Sequence, residues 1–236
     1  MEKTWNEIYI AGQQLNEFAF TNLVSLFYKF FSKKENYSLS NGTDLKILEI
    51  GCGVCNNFNL FKDLNGIQYF GFDISEAAID IALAKFPNLK STLQISNFNY
   101  LEKFENYFDL IIDRSAGCYN DWDGLLKLSA NVYKSLNTDG LYFGLDYFST
   151  EHPAYQKGIP VVGNSQDYNF NTRSHFDFPG FPTREQIHFV NIDEIKLLFS
   201  RFDILDIYFE KTLSYNSSNY FEIQRSFLNF VVKRSK

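Results

Sequence analysis

The chain has no excess of basic residues: 22 Lys and Arg stand against 28 Asp and Glu, a net charge of -6. With a pI near 5.1, it lacks the basic footprint by which proteins bind nucleic acids. No apolar run approaches the length of about 18 residues that a membrane-spanning helix needs. The N-terminus, MEKTWNEIYIAGQQLNEFAF, opens polar and has no basic-then-apolar leader. Only three cysteines are present, an odd number with two of them close together, so no disulfide framework is expected. No second close Cys or His pair completes a zinc set, and no metal is expected. These absences point to a soluble cytoplasmic protein without a nucleic-acid or membrane partner. Its 236 residues, 45% hydrophobic, suffice for one well-buried domain with an appended lid or cap.

What is present is an ordered alternation. Residues 4–32 carry apolar positions at helical spacing, interrupted by Gly12, and predict one short and one longer helix. The polar stretch Ser32–Asp44 reads as a linker. Strands are then expected at LKILEIG, IQYFGFDIS, LKSTLQIS, YFDLIIDRS and LYFGLDYF. A helix from about Val54 to Leu64 is expected after the first, and EAAIDIALAKF, with Ser75 as its N-cap, after the second. WDGLLKLSANVYKSL precedes the fifth strand. Strands alternating with helices mean βαβ units and a parallel sheet covered on both faces. Residues 149–187 have no clear periodicity; NIDEIKLLFSRF is a helix, and DILDIYFEKTL with FEIQRSFLNFVVKR makes a closing hairpin. The expected fold is a doubly wound, Rossmann-like α/β fold. Its seven-stranded, mostly parallel sheet carries a C-terminal antiparallel hairpin and an N-terminal helical lid. The lid is residues 1–40, and the main domain is 41–236, with an acceptor-cap insert at 149–187.

LEIGCGVCNNF (Leu48–Phe58) admits two chemistries. Cys52 and Cys55 have the C-x-x-C spacing of a redox centre, which needs a lowered thiol pKa. Gly51-Cys52-Gly53 also has the form of a tight turn between strand and helix, the place where open α/β sheets bind ligands. Asp73 ends the second strand 22 residues after Gly51, an offset that suits a carboxylate binding ribose hydroxyls. The dithiol reading gives Asp73 no role. A dinucleotide fingerprint wants glycine at position 56, where Asn56 stands, and no Y-x-x-x-K occurs. A ligand with a ribose but no phosphate fits better than NAD(P), so a nicotinamide-dependent oxidoreductase is the runner-up. A non-catalytic cofactor-binding module that serves a partner enzyme is a third reading.

Residues 45–147 resemble the core of class I S-adenosylmethionine-dependent methyltransferases. The likeness rests on ILEIGCGVC, YFGFDIS, ISNFNYL, FDLIIDRSA and LNTDGLYFG in order, and the C-terminal helix and hairpin are similar too. It implies S-adenosylmethionine as cofactor and S-adenosylhomocysteine as product. Gly51, Cys52, Gly53 and Asn56 would lie at the methionine and ribose end, with Glu49 near the amine and Tyr9 folding over from the N-terminus. Asp73 would bind the ribose, while Ile74, Asn97 and Phe98 would meet adenine, and Asp113 and Arg114 would lie beside the methionine end. Cys55 stands where the family usually has a third small glycine, and Asn97 where aspartate is frequent; Cys is small, and Asn keeps an acceptor.

The methyl acceptor is expected to be a small molecule. His152, after the fifth strand, is a candidate base, with a locally bonded loop histidine as the alternative; Tyr119 is a candidate catalytic contact. Asn120, Arg173, Arg184 and His188 are candidate substrate contacts, the arginines as clamps for phosphate or carboxylate. His188 could instead cap the following helix, and His175 reads as a surface residue. DRSAGCYN replaces the N/D-P-P-Y/F motif of base-modifying enzymes. The layout resembles bacterial methyltransferases tied to surface-glycan and capsule biosynthesis, which implies O-methylation of a sugar, nucleotide-activated precursor or phosphate-type group. Nothing in the sequence sets the oligomeric state.

Overall fold

The computed structural model describes residues 2–31, 44–161, 171–178, 186–215 and 221–235. The linker expected at Ser32–Asp44 therefore lies outside the described residues except for its last position. In chain order the first elements are helices α1 (Glu2–Ile10) and α2 (Thr21–Phe31), strands β1 (Leu45–Ile50) and β2 (Ile67–Asp73), helix α3 (Glu76–Lys85) and strand β3 (Leu93–Ile95). Then come β4 (Phe108–Arg114), α4 (Trp122–Ser135), β5 (Leu136–Phe148), β6 (Ile159–Pro160), β7 (Thr172–Ser174) and β8 (Ile187–His188). Helix α5 (Ile192–Leu198), β9 (Phe202–Tyr215) and β10 (Phe221–Arg234) close the chain.

Seven strands form one mostly parallel sheet in the order β3-β2-β1-β4-β5-β10-β9, with β10 antiparallel to both β5 and β9. This is the Rossmann-like fold that the strand–helix alternation implies. Among the described residues no helix is long and apolar enough to cross a membrane. Two compact units are recognisable: Met1–Ile112 with Ser135–Gly140, and Asp113–Lys134 with Leu141–Lys236.

In the first unit, β1 and β2 run parallel with Glu49 opposite Gly71, and β2 pairs β3 with Asp73 opposite Ile95. β1 is buried almost throughout, as befits a central parallel strand. Aromatic rings pack together within this unit: Phe27 stacks on Phe31 at 5.0 Å and meets Phe61 edge-on at 5.1 Å. Ser75 caps α3, its hydroxyl accepting from Ala78 N–H, as the sequence predicts.

Three elements differ from expectation. The helix expected over Val54–Leu64 is a short 3₁₀ stretch, Asn56–Leu60. Cys55 before it is left-handed (φ 56°), and the asparagine side chains that follow bond to distant groups. The third strand shrinks to Leu93–Ile95, because Pro87–Leu89 forms a 3₁₀ turn. The fifth begins at Leu136, ahead of the Asn137–Gly140 turn expected there.

In the second unit, β10 lies between β5 and β9, with Phe230 opposite Gly144. The aperiodic insert contains a 3₁₀ turn, Pro153–Lys157, and a small antiparallel sheet in the order β6-β7-β8. α5 starts on a capping box: Asn191 accepts from Glu194 N–H, and Glu194 accepts from Asn191 N–H.

Candidate active site

The first unit assembles its groups at the carboxyl ends of β1 and β2, the edge where open α/β sheets hold ligands. Gly51 (φ 68°) and Gly53 (φ 53°) both take the left-handed conformation that disfavours a side chain. The N–H groups of Gly51 and Cys52 donate to the Phe72 carbonyl at 2.7 and 3.0 Å, folding the turn back onto β2. Asp73 fastens it from below: Oδ2 accepts from Gly53 N–H at 2.8 Å and Oδ1 from Ser75 N–H at 2.9 Å. Burial pushes the Asp73 carboxyl above its ordinary range, and these backbone donors oppose that rise. A Cβ on Gly53 would lie 2.5 Å from Tyr9 Oη, so α1 brings its phenol directly onto the turn. Tyr9 packs there with Val54, Ala78 and Trp5, and burial, followed by the Asp73 charge, holds its phenol protonated.

Glu49 is buried, and its two oxygens accept from Asn57 Nδ2 (2.7 Å) and from the Tyr69 hydroxyl. Asn56 donates to the Phe18 carbonyl at 2.8 Å. Ile74 follows β2 half-buried; Asn97 is exposed and caps the next 3₁₀ turn by accepting from Asn99 N–H, beside a half-buried Phe98. Cys52 and Cys55 are buried free thiols. The contact with Cys55, then burial, pushes the Cys52 thiol well up, opposite to what a redox thiolate requires. The structure thus favours the nucleotide turn over the dithiol. Left-handed glycine backbone, a buried strand-end carboxylate and a second buried acid fit the ribose and amino-acid parts of S-adenosylmethionine.

In the second unit, Asp113 turns away from the role expected of it. It is fully buried, and its Oδ2 accepts from Tyr142 (2.9 Å) and Tyr147 (2.7 Å), while Gly117 N–H donates to the carboxylate at 3.1 Å. Its side chain therefore clamps the turn after β4. Arg114 Nε pairs with Asp146 Oδ2 at 2.6 Å. Ser115 (φ 61°) and Asp146 (φ 52°), at the ends of β4 and β5, are both left-handed non-glycine residues, a strain that concentrates at functional sites. Tyr119 lies half-buried, edge-on to Phe148 at 6.5 Å, and Asn120 donates to the Gly117 carbonyl.

His152 takes the locally bonded form: Nδ1 accepts from Ala154 N–H at 3.1 Å and caps the following turn. A neutral ring whose Nδ1 accepts carries its proton on Nε2, so it donates there rather than serving as a base. Burial, and secondarily Arg225, lowers its pKa from 6.5 to about 4. Above pH 6.5 the ring is neutral in the folded and unfolded states alike. Between 6.5 and 4 the unfolded chain binds a proton that the folded ring refuses, so stability falls over that window. His152→Asn, which can keep the cap without titrating, is expected to flatten this fall in unfolding midpoints measured against pH; parallel profiles would contradict it.

Arg173 is buried in β7 with its guanidinium 4.3 Å from the Tyr155 ring centroid, not solvated. His188 is buried too: Nδ1 meets Thr172 Oγ1 at 2.8 Å, Nε2 lies 3.5 Å from Glu194, and Trp122 covers the ring. It supports the insert against α5, whose cap is Asn191. Arg184 lies outside the described residues. Sequence reasoning missed Asn57, Tyr69, Ser115 and the partner of Arg114, Asp146. The NNFN run and the acid ending β5 were the available signals. Among the described residues no cluster of three or more His, Cys, Asp or Glu could hold a metal ion.

Residues 47–140 match the family model described as a methyltransferase domain. No curated protein matches the chain in sequence. An S-adenosylmethionine-dependent methyltransferase of Methanosarcina mazei is 18% identical with a TM-score of 0.60, over 85% of this chain and 96% of that one. One from Clostridium acetobutylicum is 15% identical with a TM-score of 0.56, over 91% and 98%. The 1,6-didemethyltoxoflavin-N1-methyltransferase of Burkholderia thailandensis, which holds S-adenosylhomocysteine, is 13% identical with a TM-score of 0.63, over 100% and 87%. At these identities the structures establish the fold; the family match spans the glycine turn and Asp73. Over residues 47–140 the chain is thus similar to the methyltransferase domain family, on the fold that S-adenosylmethionine-dependent methyltransferases share.

Proposed function

We propose that the enzyme methylates an oxygen of a small molecule, of the phosphate- or carboxylate-bearing kind found among sugar and nucleotide-activated precursors of surface-glycan and capsule assembly. The observation that carries this reading is the state of His152. Its Nδ1 is committed to Ala154 N–H, so the histidine expected to be the base is a cap and a donor. An acceptor oxygen that is already anionic needs no base. The glycan assignment itself rests on the sequence resemblance.

S-adenosylmethionine supplies a methyl group activated on a sulfonium. The protein's part is to bind, orient and exclude water, since in-line displacement needs the nucleophile held about 3–3.5 Å from the methyl carbon. In this reading Asp73 binds the ribose, and Ile74, Asn97 and Phe98 border the adenine. Glu49, Gly51, Cys52, Gly53, Asn56 and Tyr9 hold the amino-acid end. Arg114, Tyr119 and Asn120 meet the acceptor, Arg114 as the cation for its anionic group. Arg173 and His188 shape the insert, α1 with α2 forms the lid, and Asp113 fixes the loop before Tyr119. Methyl transfer from radiolabelled S-adenosylmethionine to sugar phosphates, nucleotide sugars and uronic acids tests the proposal. Label is expected in these acceptors, with a rate nearly flat from about pH 6 to 9. Label only in amines, or a rate that climbs with pH as a base titrates, would overturn it.

A further inference from the structure

Three asparagines in the 3₁₀ stretch after the glycine turn hold the chain between α1 and α2. Asn56 Nδ2 donates to the Phe18 carbonyl at 2.8 Å, Asn59 Nδ2 donates to the Glu17 carbonyl at 2.7 Å, and Asn57 Oδ1 accepts from Phe20 N–H at 3.0 Å. Little apolar burial assists them, for Leu15 and Phe18 stay 45% and 82% exposed. A segment held by a few polar bonds opens at low free-energy cost. Asn57 differs from its neighbours in bonding at both ends, since its Nδ2 also donates to Glu49 Oε1 at 2.7 Å. Asn57 and Glu49 are both buried. A primary amide fixes donor and acceptor in one plane, so the orientation that serves Glu49 is also the one that receives Phe20.

We infer that Asn57 is a positioning residue that couples closure of Glu17–Phe20 to cofactor binding through Glu49. This rests on the glycine turn being the cofactor site. Glu49 stands two residues before Gly51 in the same strand and turn. An ammonium group brought to that turn fixes the Glu49 carboxylate in place, and hydrogen bonds to a carboxylate are about twice as strong as neutral ones. The Asn57 amide is polarised in turn, which strengthens its bond from Phe20 N–H. Coupling between binding equilibria is reciprocal, so a closed segment tightens the cofactor by the factor with which the cofactor closes it. The other flank is tied independently: Asn6 Oδ1 accepts from Ser75 Oγ at 2.7 Å and from Ala77 N–H at 3.2 Å. α1 is thereby anchored at the α3 cap, leaving the Glu17–Phe20 end as the part that responds.

Hydrogen exchange at the Phe20 amide of the intact protein reads the coupling. The probes are S-adenosylhomocysteine, which carries the ammonium, and methylthioadenosine, the nucleoside half without it. Saturating S-adenosylhomocysteine is expected to slow exchange about tenfold, and saturating methylthioadenosine to leave it unchanged. Asn57→Asp keeps an acceptor for Phe20 but opposes Glu49 with a second carboxylate. It is expected to bind S-adenosylhomocysteine about tenfold more weakly and to lose the added protection. Equal protection by the two probes in the wild-type protein, or undiminished affinity in a folded Asn57→Asp protein, overturns the inference and leaves the cofactor site standing. If the wild-type protein binds neither probe, the cofactor reading fails and the inference with it.

Discussion

Asp73→Ala is expected to weaken S-adenosylhomocysteine binding by about tenfold to a hundredfold, or 1–3 kcal/mol. The carboxylate has two tasks. It fastens the glycine turn through Gly53 N–H and orders the start of α3 through Ser75 N–H; in the proposed site it also accepts from the ribose. Alanine removes all of these acceptors at a residue only 8% exposed, where an unmatched donor finds little water to replace the lost bond. Asp73→Asn separates the tasks, because its amide keeps the shape and one acceptor oxygen while losing the charge. Its affinity should fall between those of wild type and alanine. Calorimetric titration of the three proteins checks the order, and unchanged affinity in Asp73→Ala would remove Asp73 from the site.

Asp113→Ala is expected to cost about 3–5 kcal/mol of stability, because it strands several buried donors at once. Tyr142, Tyr147 and Gly117 all donate to this carboxylate, and the rings that would collapse into the space are themselves packed. Tyr142 stacks on Phe199 at 5.1 Å, and Tyr147 meets Phe230 at 5.2 Å. Burial raises the Asp113 carboxyl, with the Tyr147 hydroxyl foremost among the groups opposing that rise. For a chain of this size each kcal/mol is worth about 2–4 °C in the unfolding midpoint, so a fall of roughly 6–20 °C is expected by calorimetry. A fall of less than about 2 °C would mean the network is dispensable.

The contrast between these two acids shows what the sequence makes legible. The place of Asp73 beside the turn was legible because the glycine turn, a strand end at fixed offset and the Ser75 cap follow one another between β1 and α3. Asp113 occupies an equivalent strand end, yet its partners Tyr142 and Tyr147 lie 29 and 34 residues further on, and no periodicity announces such a contact. The sheet was legible for the same reason as Asp73, since alternation of buried strands and amphipathic helices is a local pattern. The expected helix after Val54 failed through tertiary contacts, with Asn56, Asn57 and Asn59 reaching back to residues 17–20. His152 was placed after the right strand. Its chemistry depends on which ring nitrogen accepts from Ala154, a distinction that lies below the resolution of residue types.

In the proposed site, the turn at Gly51–Gly53 with Asp73 holds S-adenosylmethionine. The most direct test is calorimetric titration of the unmodified protein with S-adenosylhomocysteine, with NADPH as control. Saturable binding of S-adenosylhomocysteine near the micromolar range, about -8 kcal/mol, is expected, with no heat from NADPH. Binding of NADPH with silence from S-adenosylhomocysteine would contradict this assignment and return the turn to the nicotinamide reading.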